Sequence, residues 1–515
     1  MRDTSRRASL RRLGAVGLLV GFALVPGVAA EETAPGRPSL AIELHESRLE
    51  NGVRVLVVPR EGSLSVAAGW SVRAGSAHDP PSAPGFAHLL EHLLWQGTAT
   101  VGVRGREREI AWIEREENLL ARLREQWRGE PATGGGSFDP ETVAARAGLA
   151  VELERIRREA AALSVQGELA LLYGRASAED LRARTFEDFT MSSVLLPPEA
   201  LELWFWLESD RLRDPVWRQL GRELRVVRQE RREELAADPG RELEEAMRRR
   251  LWGNDPYGRP VAGPPETLEL LSRQEIREHF ADRYRPSRLT LALVGAVDSE
   301  RAVRLAETYF GRLVTPAGPH RDAFPPPGPR PPAEAAIQVA CEGRPRVTVA
   351  YPGLSFDDED RPALELLVGV LGGRAGRLHR TLVLDGGAAW SAYALHRPLA
   401  RAGELWFKAE LRPGGHPDAV LAGWTRVVER LRREPVPHDE LARARDRLRV
   451  ETYRGLREPG ELLSRLLVYD ALGDGRQAIA PETAWGAVTP ERMRDVAGRV
   501  FAHPGVVGTC PGSSR

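Results

Sequence analysis

The chain has 515 residues, 42% of them hydrophobic and 28% charged, and its 73 basic and 73 acidic side chains balance to a formal net charge of zero. That length is too great for one hydrophobic core and implies two or more domains. The neutral balance, with no basic stripe interleaved with aromatics, excludes nucleic acid as the organising partner. Every positive side chain except Lys408 is arginine, which with the abundant Ala, Gly and Pro reads as coding bias.

Arg2, Arg6, Arg7, Arg11 and Arg12 precede an apolar run from Leu13 to Val25, and Val28-Ala29-Ala30 supplies small residues for cleavage. Residues 1–30 therefore read as a secretory signal peptide. Ser5 to Leu10 looks somewhat like a twin-arginine signal, but the second half of that pattern is poor and general export is preferred. No other run approaches about eighteen apolar residues, so the mature chain is expected to be periplasmic or extracellular without a stable membrane span. Only Cys341 and Cys510 occur. Two thiols do not make a disulfide framework, and whether they pair is left open.

Residues about 40 to 75 read as strands. Asn51-Gly52 is a tight-turn signal before the β-branched run Val53 to Val58, and a second run follows from Leu64 to Val72. The next stretch, Pro84 to Thr98, contains His88, Glu91 and His92. On a helix His88 and His92 sit one above the other, so both imidazoles reach one divalent ion while Glu91 projects beside it. Zinc suits that donor set, and H-x-x-E-H is the inverted zinc-peptidase order. The five residues alone would also fit an amphipathic helix with two half-buried histidines; the flanks decide between the two.

Gly85, Ala87, the motif itself, Trp95 and Gly97-Thr98, with the lead-in Arg73-Ala74-Gly75-Ser76 and its Pro-rich run, resemble the M16 peptidase family. The resemblance implies an α+β chain of two similar domains, each an antiparallel-rich sheet with helices packed on it. The first would span about 31–315, a Pro-rich linker 316–333, and a second domain without the metal motif 334–515. Glu, Arg, Leu and Ala at helical spacing over about 104–173, broken by Pro131 to Ser137, predict a helical hairpin inserted in the first domain. Its charge density predicts a solvated, coiled-coil-like arm.

The stretch Arg182 to Thr190, leading into the run Met191 to Pro197, resembles the family's edge strand that pairs with extended substrate. Arg182, Ala183 and Thr185 are its substrate-binding candidates, although Arg182 stands where the family usually has Asn. Glu223 and Glu230 lie two turns apart on one helix face. Two histidines leave a catalytic zinc short of a third protein ligand. By resemblance Glu230 supplies it and Glu223 is a supporting carboxylate.

The leading reading is a secreted zinc endopeptidase acting on peptides or unfolded polypeptides, with Glu91 as general base. The alternative is a non-catalytic M16-like structural or peptide-binding subunit, which would have no physical need of the complete ligand set. In the family the second domain contributes an Arg and a Tyr, and Val383 and Trp390 stand where they would fall. A paired M16-like partner subunit supplying both is the corresponding expectation.

Overall fold

The computed structural model describes residues 42–128, 140–238, 240–264, 268, 271–316, 336–340 and 343–512. The signal-peptide stretch, the Pro131 to Ser137 loop, nearly all of the Pro-rich linker and Cys341 lie outside the described residues. Cys510 is disulfide-bonded. None of the described helices is long and apolar enough to cross a membrane.

Strands β1 (His45–Arg48), β2 (Arg54–Pro59), β3 (Val66–Val72), β4 (Glu179–Thr185), β5 (Thr190–Leu196) and β6 (Leu289–Gly295) form one sheet in the order β1-β2-β6-β3-β5-β4. A second contains β7 (Ala336–Gln338), β8 (Arg346–Gly353), β9 (Ala389–Pro398), β10 (Gly403–Leu411) and β11 (Val506–Cys510) in the order β7-β11-β8-β10-β9. Pairing is antiparallel except for β2 with β6 and β7 with β11. This is the α+β architecture expected of the chain, repeated in its two halves.

β3 and β6 are buried at every residue, because both faces of the sheet are covered. That is why β6 reads Leu-Thr-Leu-Ala-Leu-Val-Gly rather than alternating apolar with polar. One face packs on helices of the same half, including Phe86–Leu94 and Leu201–Arg213. The other receives Pro459–Leu472, from the far end of the chain, through Leu462, Leu463, Leu466 and Leu467. The exchange is mutual. Helix Arg241–Trp252, from the first half, lays Leu243, Met247 and Leu251 against β8 and β11 of the second sheet.

Two glycines seat these helices. A Cβ on Gly69 of β3 would lie 3.0 Å from the Leu467 side chain, and one on Gly508 of β11 would lie 2.2 Å from Met247 Sδ. Buried charge fixes each helix further. Asp470 accepts hydrogen bonds from Thr290 and Arg54, both of the first half. Arg248 pairs with Glu187 of the first half and Glu404 of the second, and Glu404 also accepts from Trp252 Nε1 at 2.7 Å. Burial alone would raise the Glu187 carboxyl, but Arg397 and Arg248 hold it down at about 2. Removing one member of such a set leaves a buried charge uncompensated, which is how these contacts fix the relative placement of the halves.

The inserted helices are Arg106–Arg128 and Pro140–Leu163, zipped by Leu119, Leu120, Leu149, Leu153 and Ile156. Their outer faces are charged, as the sequence suggests. Their root is different: Glu109 and Glu116 are buried in ion pairs with arginines of the domain body.

Candidate metal centre

Helix Phe86–Leu94 is started by Asp79, whose two carboxylate oxygens accept from Gly85 N at 2.7 Å and Ala87 N at 2.8 Å. An acid here meets the orphan N–H groups and the positive end of the helix dipole. Burial pushes its carboxyl up to about 8, against the opposing effect of those N–H donors. Phe86, Leu89, Leu90, Leu93 and Leu94 face the core. That orientation turns His88, Glu91 and His92 the other way, and the two imidazole rings meet edge to face at 4.8 Å.

The facing helix, Leu220–Ala237, follows Gln219, which adopts the left-handed backbone (φ 53°). Leu220, Gly221, Glu223 and Val227 are its buried face. Glu230 stands two turns beyond Glu223 on the same side. Glu230 Oε2 lies 3.1 Å from His92 Nε2 and 3.9 Å from His88 Nε2, and Glu223 Oε2 lies 3.5 Å from His92 Nδ1. One donor atom each from His88, His92 and Glu230 thus falls within 4.8 Å of the others, the only such grouping of three among the described residues.

Two borderline nitrogens and one hard oxygen are a donor set for a divalent ion of the zinc type. Tetrahedral ligands sit about 3.3 Å apart, so the His92–Glu230 edge is near that spacing and the His88 side is slightly open. Burial and the neighbouring His92 depress the His88 imidazole to about 4, despite Glu230, so it presents a neutral lone pair. Burial also pulls His92 down, but Glu223, Glu230 and Glu91 more than offset it and hold the ring at about 10. The pocket therefore favours positive charge between its carboxylates, and a metal cation satisfies that demand as a proton does. The donor set fits zinc.

Glu91 is raised above the ordinary carboxyl range by burial, opposed by His92 and by a hydrogen bond from Thr185. That bond, Thr185 Oγ1 to Glu91 Oε2, measures 2.6 Å. Thr185 is the last residue of β4, which hydrogen-bonds only β5 among the described residues and so forms the sheet edge. The run Met191 to Leu196 lies in β5, one strand further in. Ala183 is paired with Ser192. Arg182 turns its exposed guanidinium to Asp180 at 3.0 Å, beside a register shift in the strand.

On the second half, Val383 is buried in the core and Trp390 is half exposed at the start of the edge strand β9. The guanidinium carbons of Arg344 and Arg412 lie 5.9 and 5.1 Å from the Trp390 ring centre. Sequence reasoning missed Asp79, the hydroxyl-to-Glu91 role of Thr185, and Arg218 beneath the metal centre. Asp79 had a local signal, an acid ahead of a proline turn and a helix start. The other two act across the fold and had none.

Two α+β units, the first carrying an inverted histidine motif, are the arrangement that the family resemblance implies, and comparison with known proteins agrees on the family. Residues 54–114 match the profile described as Insulinase (Peptidase family M16), and residues 270–448 the one described as Peptidase M16 inactive domain. The chain belongs to the M16 peptidase family. An uncharacterised zinc protease of Streptomyces coelicolor is 28% identical over 272 residues, 52% of this chain and 59% of that relative's length. One from Mycobacterium bovis is 24% identical over 449 residues, 84% of this chain and 85% of the relative. In fold, the chain is similar to a protease from Helicobacter pylori, with a TM-score of 0.71 at 18% identity, over 91% of this chain and 99% of that one.

Proposed function

We propose that this chain is a zinc-dependent endopeptidase that hydrolyses extended or unfolded polypeptides, with His88, His92 and Glu230 holding the metal. The observation that carries the reading is the meeting of those three donors beside a half-buried Glu91 that is tied to the end of a strand at the sheet edge. Zinc bound there supplies Lewis-acid polarisation of the scissile carbonyl and makes water more acidic. Glu91 takes the proton of the attacking water and passes it to the leaving amine, a transfer that suits a carboxyl raised by burial. Glu223 holds the His92 ring through Nδ1, fixing which nitrogen faces the metal. The β4 edge aligns the substrate main chain through the backbone at Arg182 and Ala183, independent of side-chain identity. The leader-like residues 1–30 support export to the periplasm or beyond.

Thr185 sets where the Glu91 carboxylate points. Thr185→Val keeps the shape and removes the donor, so kcat should fall at least about tenfold, the scale of one hydrogen bond to a charged group. Thr185→Ser should restore most of it. Zinc content, measured in parallel, should be unchanged in both.

Val383 offers no charge and Trp390 a single indole donor, so the second half supplies little at those positions to a developing oxyanion. The chain is accordingly the zinc-bearing member of a two-chain enzyme whose M16-like partner brings an Arg and a Tyr. The test is hydrolysis of an unstructured peptide by the purified chain, alone and with a co-expressed M16-like partner, with and without chelator. Chelator-sensitive turnover that rises with the partner supports both parts. Equal turnover without complex formation removes the partner, and zinc binding with no turnover in either case favours a peptide-binding subunit.

A further inference from the structure

The inserted hairpin is fastened at its root to both helices of the metal centre, and Arg218 is the fastening point. Arg218 is 2% exposed. It donates to the carbonyls of Gln96 (2.9 Å), Thr98 (2.7 Å) and Val101 (2.9 Å), the loop that leaves the histidine helix. The same group donates to Glu109 Oε2 at 3.0 Å, in the first turn of the hairpin. Thr98 also forms an antiparallel bridge with Pro215. One residue after Arg218 comes the left-handed Gln219, and then the helix that carries Glu223 and Glu230.

A second tie lies alongside. Arg273 donates from Nε to Trp217 O at 2.7 Å and from Nη2 to Glu116 Oε2 at 2.5 Å. Glu116 Oε1 accepts from Arg157 Nε at 2.8 Å. The Arg157 guanidinium then lies against the first turn of the glutamate helix, so close that a Cβ on Gly221 would stand 2.4 Å from its Cζ. The hairpin thus supplies two buried carboxylates and one arginine, Glu109, Glu116 and Arg157, which act with Arg218 and Arg273 to aim this helix.

We propose that Arg218 and the hairpin carboxylates Glu109 and Glu116 are positioning residues that set the glutamate helix against the histidine helix, so that the insertion is a brace for the metal centre. The inference rests on the metal-site reading above. Glu230 lies about 15 Å along the axis from Leu220, so a tilt of about 10° at the helix start moves its carboxylate by about 2.6 Å. Metal–ligand bonds tolerate about 0.2 Å. Small errors at the root are therefore large errors at the ligand.

The experiment compares the full mature chain with Arg218→Met and Gly221→Val, the second pressing on Arg157 without removing a charge. Zinc affinity is read by chelator competition, the cobalt-substituted visible spectrum reports ligand geometry, and amide exchange over 220–237 is followed in the metal-free protein. Both variants should bind zinc at least about tenfold more weakly, the usual loss when supporting contacts of a metal ligand are removed. The cobalt spectrum should change, and exchange over 220–237 should quicken while the second sheet keeps its protection. Zinc affinity and exchange both within about twofold of the parent in the folded Gly221→Val chain, against the tenfold expected, would overturn the brace. A parent that binds no zinc, with exchange still quickened in the variants, would leave the brace standing and remove the metal reading instead.

Discussion

Glu91→Gln should retain zinc and lose at least about a hundredfold in peptide hydrolysis, the usual scale for removing a general base. The amide has the shape of the carboxylate and can still accept the Thr185 hydrogen bond at 2.6 Å, so the side chain has no reason to leave its position. It cannot take a proton. His88, His92 and Glu230 are untouched, and zinc content measured on the same sample separates lost chemistry from lost metal. A Glu91→Gln variant that turns over peptide at the parental rate would remove Glu91 from the mechanism.

His92→Ala should abolish stoichiometric zinc binding. His92 is the centre of the ligand set, within 3.1 Å of Glu230 and 3.5 Å of Glu223 on opposite ring nitrogens. Its loss removes a donor and the group that both carboxylates address. It also takes away the positive group that Glu91, Glu223 and Glu230 share, which raises the cost of their charged forms. His88→Ala should fail to bind as well. Metal analysis after dialysis against buffered zinc checks both, and full occupancy in the two variants would dismiss this ligand assignment.

What could be read from the sequence follows from how locally each feature is encoded. The helical period alone puts His88, Glu91 and His92 on one face, and the structure has them on helix Phe86–Leu94. The β-branched run after Asn51-Gly52 and the run from Leu64 to Val72 became β2 and β3. Glu230 is different: glutamates on an Arg-rich helix are usually solvated, and only the resemblance singled it out. The hairpin shows the limit more sharply. Glu109 and Glu116 look like every other acid on a charged helix, yet they are buried because Arg218 and Arg273 arrive from the domain body. No periodicity within the hairpin records that meeting. Likewise Leu462, Leu463, Leu466 and Leu467 announce an apolar helix face but not that it covers the sheet of the opposite half.

That exchange of helices gives the chain the logic of a domain-swapped dimer made covalent, with each half lending the other one element of its core. The half bearing the histidine motif carries an unfilled surface over β3 and β6 when made alone, and the other half lacks the cover of β8 and β11. Each would expose the apolar face that its counterpart normally buries, together with a charge that loses its cross-half partner, Arg54 in the first half and Asp470 in the second. Folding of either is therefore coupled to the presence of both. A split placed between the sheets yields two polypeptides that must find each other to fold, as obligate subunits do.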